Sequence, residues 1–261
     1  MSSIDNKVYS PVWKCIYCGA TESLGKEHIL PFGLSGTAIL PKASCQICAK
    51  ITGDIEQKLL RGEFWPVRIY RDLKSRTKYK NSPHSFELDV VVNGKMQSHR
   101  LASDEYPILL HLPILGLPGY LQGKAKTSGL PVSGIATIRF GGDLEKTVRS
   151  LGSKEVRITS TTHPSHFARM IAKIAFAFAC AEGALKDIEG KSFVLPAILG
   201  EKDDIGHWVG MSLAPTTSDP NFLHRIELKR DRERQLLLAQ VRLFADSETP
   251  TYCVVLGRLL H

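Results

Sequence analysis

Four of the six cysteines fall into two C-x2-C pairs, Cys15/Cys18 and Cys45/Cys48, and the dipeptide Glu27-His28 lies between them. Cys180 and Cys253 stand alone. Two such pairs a few tens of residues apart are the spacing by which four thiolates close a tetrahedral shell around Zn²⁺. A closed shell of four thiolates leaves no open coordination position. The ion it predicts is therefore structural, folding a segment too small to bury an adequate core. Glu27 and His28, a carboxylate beside an imidazole, are costly to bury and unremarkable on a surface, so their meaning depends on what surrounds them. Cys180, in an apolar helical pattern, and Cys253, in a strand pattern, read as small buried hydrophobes.

Short elements must position these groups. "WKCIYCG" reads as a zinc knuckle in which Gly19 relieves the turn, and "EHILPF" and "TAILPKA" as two extended segments joined by "GLSG". From Cys45 to about Arg61 the pattern becomes helical, with Ile47, Ile51, Ile55 and Leu59 recurring every four residues, and Gly62 stops it. Adjacent side chains on a strand point to opposite faces, so Glu27 and His28 can line one cleft only on a twisted or bulged strand end. Pro31 and Gly33 suit such an irregular strand.

The ordered set "CIYCG", "EHILPFGLSG" and "ASCQIC" leading into "KITGDIEQKLL" resembles the zinc-containing branch of the HNH endonucleases, the ββα-metal nucleases. The resemblance covers about residues 13–61. "ARMIAKIAFAFA" is also similar, more weakly, to a segment that accompanies this unit in bacterial proteins. It implies that Glu27 ligates a catalytic Mg²⁺ or Mn²⁺, that His28 is the general base toward water, and that the substrate is DNA, with RNA left open. A role in bacterial or phage defence fits the family's habits. One position departs from the family: Ala49 stands where an Asn or His usually supplies a second metal ligand. Thr52 and Glu56 share roughly the helix face of Ala49, and an acidic residue at this point is typical of the branch, which nominates Glu56. It lies about two turns, roughly 10 Å of rise, from Ala49. Its bland alternative is an exposed carboxylate near Lys58, while Asp54 points elsewhere into solvent. The alternative function is a catalytically degenerate zinc-containing nucleic-acid-binding module.

Charge agrees with a polyanionic partner. The 261 residues carry a formal net charge of +8, with a sequence pI near 9.2. Lys26, Lys42, Lys50, Lys58 and Arg61 are the candidate phosphate contacts in the unit. "RIYRDLKSRTKYK" interleaves Tyr70 and Tyr79 with basic side chains, as a nucleic-acid groove or a solvated hairpin edge would. His163 and His166, three apart at a helix start, read as capping or packing. The N-terminus lacks the apolar run of a secretory signal, and the unpaired cysteine usage points to the cytoplasm. Neither "YPILLHLPILGLPGYL", broken by prolines, nor "FARMIAKIAFAFACA", which carries Arg169 and Lys173, spans a bilayer, so no membrane partner is expected.

The expected class is α+β. Residues 1–62 form a zinc-stapled ββα (HNH) unit, and residues 63–261 a mixed, strand-rich region with one long buried helix that recognises substrate or partner. Asn93-Gly94 marks a hairpin. "SGIATIRF", "KEVRITS", "LHRIELKR", "QLLLAQVRLFA" and "TYCVVLGRLL" read as strands, and "DLEKTVRSL" as a short helix. The long helix follows Pro164, with Phe167, Met170, Ile171, Ile174 and Phe178 buried. A homodimer, or a protein partner bound through the C-terminal region, is a further expectation.

Overall fold

A computed structural model describes residues 7–74, 85–153, 155–157, 162–213 and 217–260. The N-terminal part is strand, strand, helix: β1 (Gly25–His28), β2 (Ile39–Ser44) and α1 (Gln46–Arg61). The strands pair antiparallel, and their register slips between Gly25 and Glu27. Gly25 faces Ser44 while Glu27 faces Leu40, so the surplus residues lie on β2. Lys42, at φ 51, occupies the left-handed backbone there.

After α2 (Trp65–Tyr70) come β3 (Ser85–Val92) and β4 (Lys95–Ala102), joined by Asn93 and Gly94 at φ 51 and 74. Two successive positive φ values are the primed turn that matches strand twist, as the Asn-Gly signal anticipates. Next are β5 (Ile108–Leu115), β6 (Val132–Gly141), α3 (Leu144–Ser150) and β7 (Glu155–Arg157). They are followed by α4 (Pro164–Ala181), α5 (Leu195–Leu199), α6 (Ile205–Trp208) and β8 (Val209–Met211). The described chain closes with β9 (His224–Asp231), β10 (Leu236–Leu243) and β11 (Tyr252–Arg258). Among the described residues the strands form four small antiparallel sheets, ordered β1-β2, β4-β3-β7, β5-β6 and β8-β11-β10-β9.

α4 is the centre of the molecule. Pro164 opens it at the first turn, where a missing N–H costs nothing. Its residues from Phe167 to Ala179 are almost all buried, because α1 and α5 cover one side and β10 and β11 another. Lys173 lies in the middle of this buried run. The core is continuous across residue 62: Tyr17 packs against Phe176 of α4, and one cluster of buried side chains runs from Cys15 to Leu259. The N-terminal unit thus shares its interior with the rest of the chain. Among the described residues, no helix is long and apolar enough to cross a membrane.

On α1 the buried residues are Cys48, Thr52, Ile55 and Leu59, and Ile47 is exposed. The every-four stripe drifts because each step of four turns 400°, so Ile47 has rotated off the face that Ile55 and Leu59 bury. Cys253 is buried as expected, whereas Cys180 is half-buried at the end of α4.

Candidate active site

The four paired cysteines meet. Their sulfurs all lie within 4.8 Å of one another, and Cys18 Sγ is 3.6 Å from Cys45 Sγ. A tetrahedral Zn–S shell with bonds of about 2.3 Å has sulfur–sulfur edges of about 3.8 Å, so the cluster can hold a metal such as zinc. Backbone hydrogen bonds build it. Gly19 N–H donates to the Cys15 carbonyl at 2.8 Å and Cys15 N–H to the Ala20 carbonyl at 2.7 Å, closing the knuckle. Ile16 N–H donates to the Ala43 carbonyl, which ties the knuckle to β2 directly before Cys45. Gly19 sits at φ 83, a conformation that side chains resist. The Cys45 thiol is pushed down to about 7, first by the Cys48 backbone N–H, while burial pushes Cys48 up.

Behind this cluster, three charged side chains from three elements converge. Lys173 Nζ of α4 is 2.6 Å from Glu27 Oε1 of β1 and 2.8 Å from Glu56 Oε1 of α1. It also donates to the His28 carbonyl, with the Ile29 carbonyl at 3.5 Å. An ammonium has three N–H donors, and here three close acceptors surround it. Lys173 is 1% exposed and Glu27 6%. Burial alone would push Lys173 down, but the charges of Glu27 and Glu56, with their hydrogen bonds, outweigh it and hold the lysine well above its ordinary value. Tyr17 is buried beside the same carboxylates; burial first, then the charges of Glu27 and Glu56, keep it a neutral phenol. Its ring packs on Phe176 of α4 at 5.7 Å.

The residues nominated from the sequence are therefore partly brought together. Glu27 and Glu56 share one ammonium, so Glu56 faces inward to Lys173 and not outward to Lys58. His28 is half-buried at the end of β1, its ring edge-on to Phe32 at 5.7 Å, and its carbonyl joins the lysine. Ala49 is exposed and carries no ligand atom. Thr52 is buried and turns its hydroxyl back to the Cys48 carbonyl at 3.1 Å, away from any ligand role. Asp54 is exposed and pairs with Lys50 at 2.7 Å. Lys26, Lys42, Lys50, Lys58 and Arg61 are all exposed.

The basic run after α1 behaves differently from a groove where it is described. Arg68 is buried and donates to the Gly33 and Leu60 carbonyls at 2.6 and 2.7 Å. Arg71 pairs with Asp246 and stacks over Phe140. Tyr70 is exposed, and residues 75–80 of that run, Tyr79 among them, lie outside the described residues, as do His84 and His261.

A second acidic group went unnoticed in the sequence. Glu63, buried just after α1, accepts a hydrogen bond from the His163 backbone N–H and lies 3.7 Å from His163 Nδ1. Burial pushes its carboxyl up to about 7 against the opposing pull of that N–H and of Lys58. His163 and His166 pack edge to face at 5.8 Å, and burial pushes both imidazoles down. Lys173 and Tyr17 were missed as site residues too. The available signal was a lone lysine within a helix apolar on every side, which must find a buried counter-charge.

Comparison with protein-family models, curated proteins and solved structures returns no match to any of the three.

Proposed function

We propose that the chain is an HNH-type endonuclease that hydrolyses phosphodiester bonds in DNA. The observation that carries this reading is the convergence of Glu27 from the hairpin and Glu56 from the helix, beside His28, within one strand–strand–helix unit closed by four cysteines. In this reading the cysteines hold a structural zinc. His28 takes the proton of the attacking water, a role that an imidazole suits near neutral pH. Its place is fixed because its carbonyl accepts from Lys173 and its ring rests against Phe32. The exposed Lys26, Lys42, Lys50, Lys58 and Arg61 would position the phosphate backbone without reading sequence.

The Mg²⁺ or Mn²⁺ expected at Glu27 and Glu56 does not fit the site as it is arranged. The Lys173 ammonium takes the point between the two carboxylates, and position 49 supplies no further ligand. These two facts favour a second reading, a catalytically degenerate zinc-containing module that binds nucleic acid without cutting it.

Plasmid nicking by the purified chain with Mg²⁺, Mn²⁺ or EDTA, run beside His28→Ala, tests both. The nuclease reading expects cutting that falls by about 100-fold or more in His28→Ala. Equal cutting by the variant sinks His28 as base. Salt-sensitive DNA binding with no cutting under any condition supports the degenerate module.

A further inference from the structure

Two carboxylates aimed at one buried point, with a carbonyl oxygen beside them, form an all-oxygen donor set of the kind that hard divalent cations take. In this protein the point is filled from within. Lys173 reaches it from α4, a helix rooted on both sides in the core, and makes hydrogen bonds to Glu27, Glu56 and the His28 carbonyl. The lysine brings one positive charge to two negative ones, so the cluster keeps a formal charge of −1. A divalent cation in place of the ammonium would use the same oxygens and neutralise both carboxylates, whereas one added beside the ammonium would leave an excess positive charge.

We propose that Lys173 is an internal competitor for the Glu27–Glu56 cation site: the ammonium and a divalent metal exclude each other there, and the lysine sets how much metal the site requires. The exclusion is steric as well as electrostatic. The ammonium lies at hydrogen-bond distance from both carboxylates, in the space an ion bridging them would need. Two positive centres that close, in a site screened from water, repel strongly. Lys173 must therefore leave before metal enters, and leaving costs it its hydrogen bonds to Glu27, Glu56 and the His28 carbonyl. This inference deepens the nuclease reading, since it concerns the same carboxylates. It is read by metal binding without any substrate, so its failure and the failure of cleavage are separate results.

The experiment is a Mn²⁺ titration of the full chain followed by the loss of the free-ion electron paramagnetic resonance signal. It compares wild type with Lys173→Ala, Lys173→Ser and the double variant Lys173→Ala/Glu27→Gln. Mn²⁺ prefers oxygen donors, which keeps it away from the four thiolates. The expected result is one Mn²⁺ bound by each single variant at least about 100-fold more tightly than by wild type, and lost in the double variant. Equal affinity in wild type and the single variants would overturn the proposal, as would the absence of a Glu27-dependent site in folded Lys173→Ala. Should the single variants fold only with Mn²⁺ present, metal-dependent folding that Glu27→Gln abolishes is the same positive result. Should they not fold at all, the wild type decides: a Mn²⁺ site at micromolar concentration that Glu27→Gln removes overturns the proposal, and weaker or no binding upholds it.

Discussion

Lys173 Nζ, at the middle of α4, lies 2.6 Å from Glu27 Oε1 on β1, and this contact joins the cysteine-closed unit to the helix at the centre of the core. Because the lysine is 1% exposed, the pair is a buried one, and its behaviour on mutation follows from desolvation more than from attraction. Removing only the cation strands two carboxylates in the interior. Lys173→Met should therefore lower stability by about 3–5 kcal/mol in metal-free buffer, read by chemical denaturation. The triple variant Lys173→Met/Glu27→Gln/Glu56→Gln removes every charge at once and should recover more than half of that loss. A triple variant no more stable than Lys173→Met alone would show that stranded carboxylate charge is not the cause of the loss.

Glu63 gives the fold an unusual pH dependence. Its carboxyl titrates near 7 in the folded chain, raised mainly by burial. A folded pKa above the unfolded one means that the folded state holds the proton more tightly. Below the ordinary carboxylate range both states are protonated and nothing is lost. As pH rises from about 4.5 toward 7 the unfolded chain ionises first, and stability falls. His163 works in the opposite sense: its depressed imidazole costs stability as pH drops below the ordinary histidine range. Glu63→Gln separates the two, because the amide still accepts from the His163 N–H but never ionises. The variant should be more stable than wild type at pH 8 by about 1–2 kcal/mol, allowing for solvent screening, and equal to it at pH 4.5. Parallel stability curves from pH 4.5 to 8 would remove Glu63 as the cause.

The parts of this architecture that were legible in the sequence are those written locally. Asn93-Gly94 specifies its turn through two residues that tolerate positive φ, and the cysteine spacing specifies its cluster because a knuckle has few ways to present two thiols. Glu27 and Glu56 were legible as a pair only through the resemblance of the segment around them to the HNH nucleases. Lys173 was visible merely as a charge that argues against a membrane span. Its partners lie more than a hundred residues earlier, and only the packing of α4 on α1 brings them together. Glu63 and His163 are separated in the same way. Ile47 shows the converse failure, an apolar residue in phase with a stripe yet rotated into solvent, since a four-residue repeat does not match the helical period.

The four clustered cysteines can hold a metal such as zinc, and in the reading proposed above that metal is structural. Cys15, Cys45 and Cys48 are buried and Cys18 is exposed, so a chelator has access from one side only. Mercurial titration of the four thiols should release one zinc per chain. The stripped protein should lose several kcal/mol of stability, because metal binding and folding of the knuckle are one equilibrium. Cys45→Ser should mimic the stripped form, being the thiol that the Cys48 N–H already favours as thiolate. Release of less than half an equivalent of zinc, or a stripped chain as stable as the starting protein, would show that the cluster folds as plain thiols.

Two glycines of the same unit should respond oppositely to alanine. A Cβ on Gly36 would lie 2.6 Å from the Leu30 Cβ and still nearer to the Leu30 carbonyl oxygen. That carbonyl belongs to the chain leaving β1, whose neighbouring carbonyls at His28 and Ile29 face Lys173, so relief of the clash must move the backbone that frames the carboxylate site. Gly36→Ala should cost about 1–3 kcal/mol by overpacking, and it should also weaken the Lys173 contacts. Gly53 lies mid-way along α1, where an added methyl group would meet nothing within 4 Å. Gly53→Ala should stabilise by about 0.5–1 kcal/mol through helix propensity alone. Denaturant midpoints of the two variants, measured side by side, check both signs. A neutral Gly36→Ala would mean that the loop between β1 and β2 yields freely, and Glu27 would then not be held in place by its own strand.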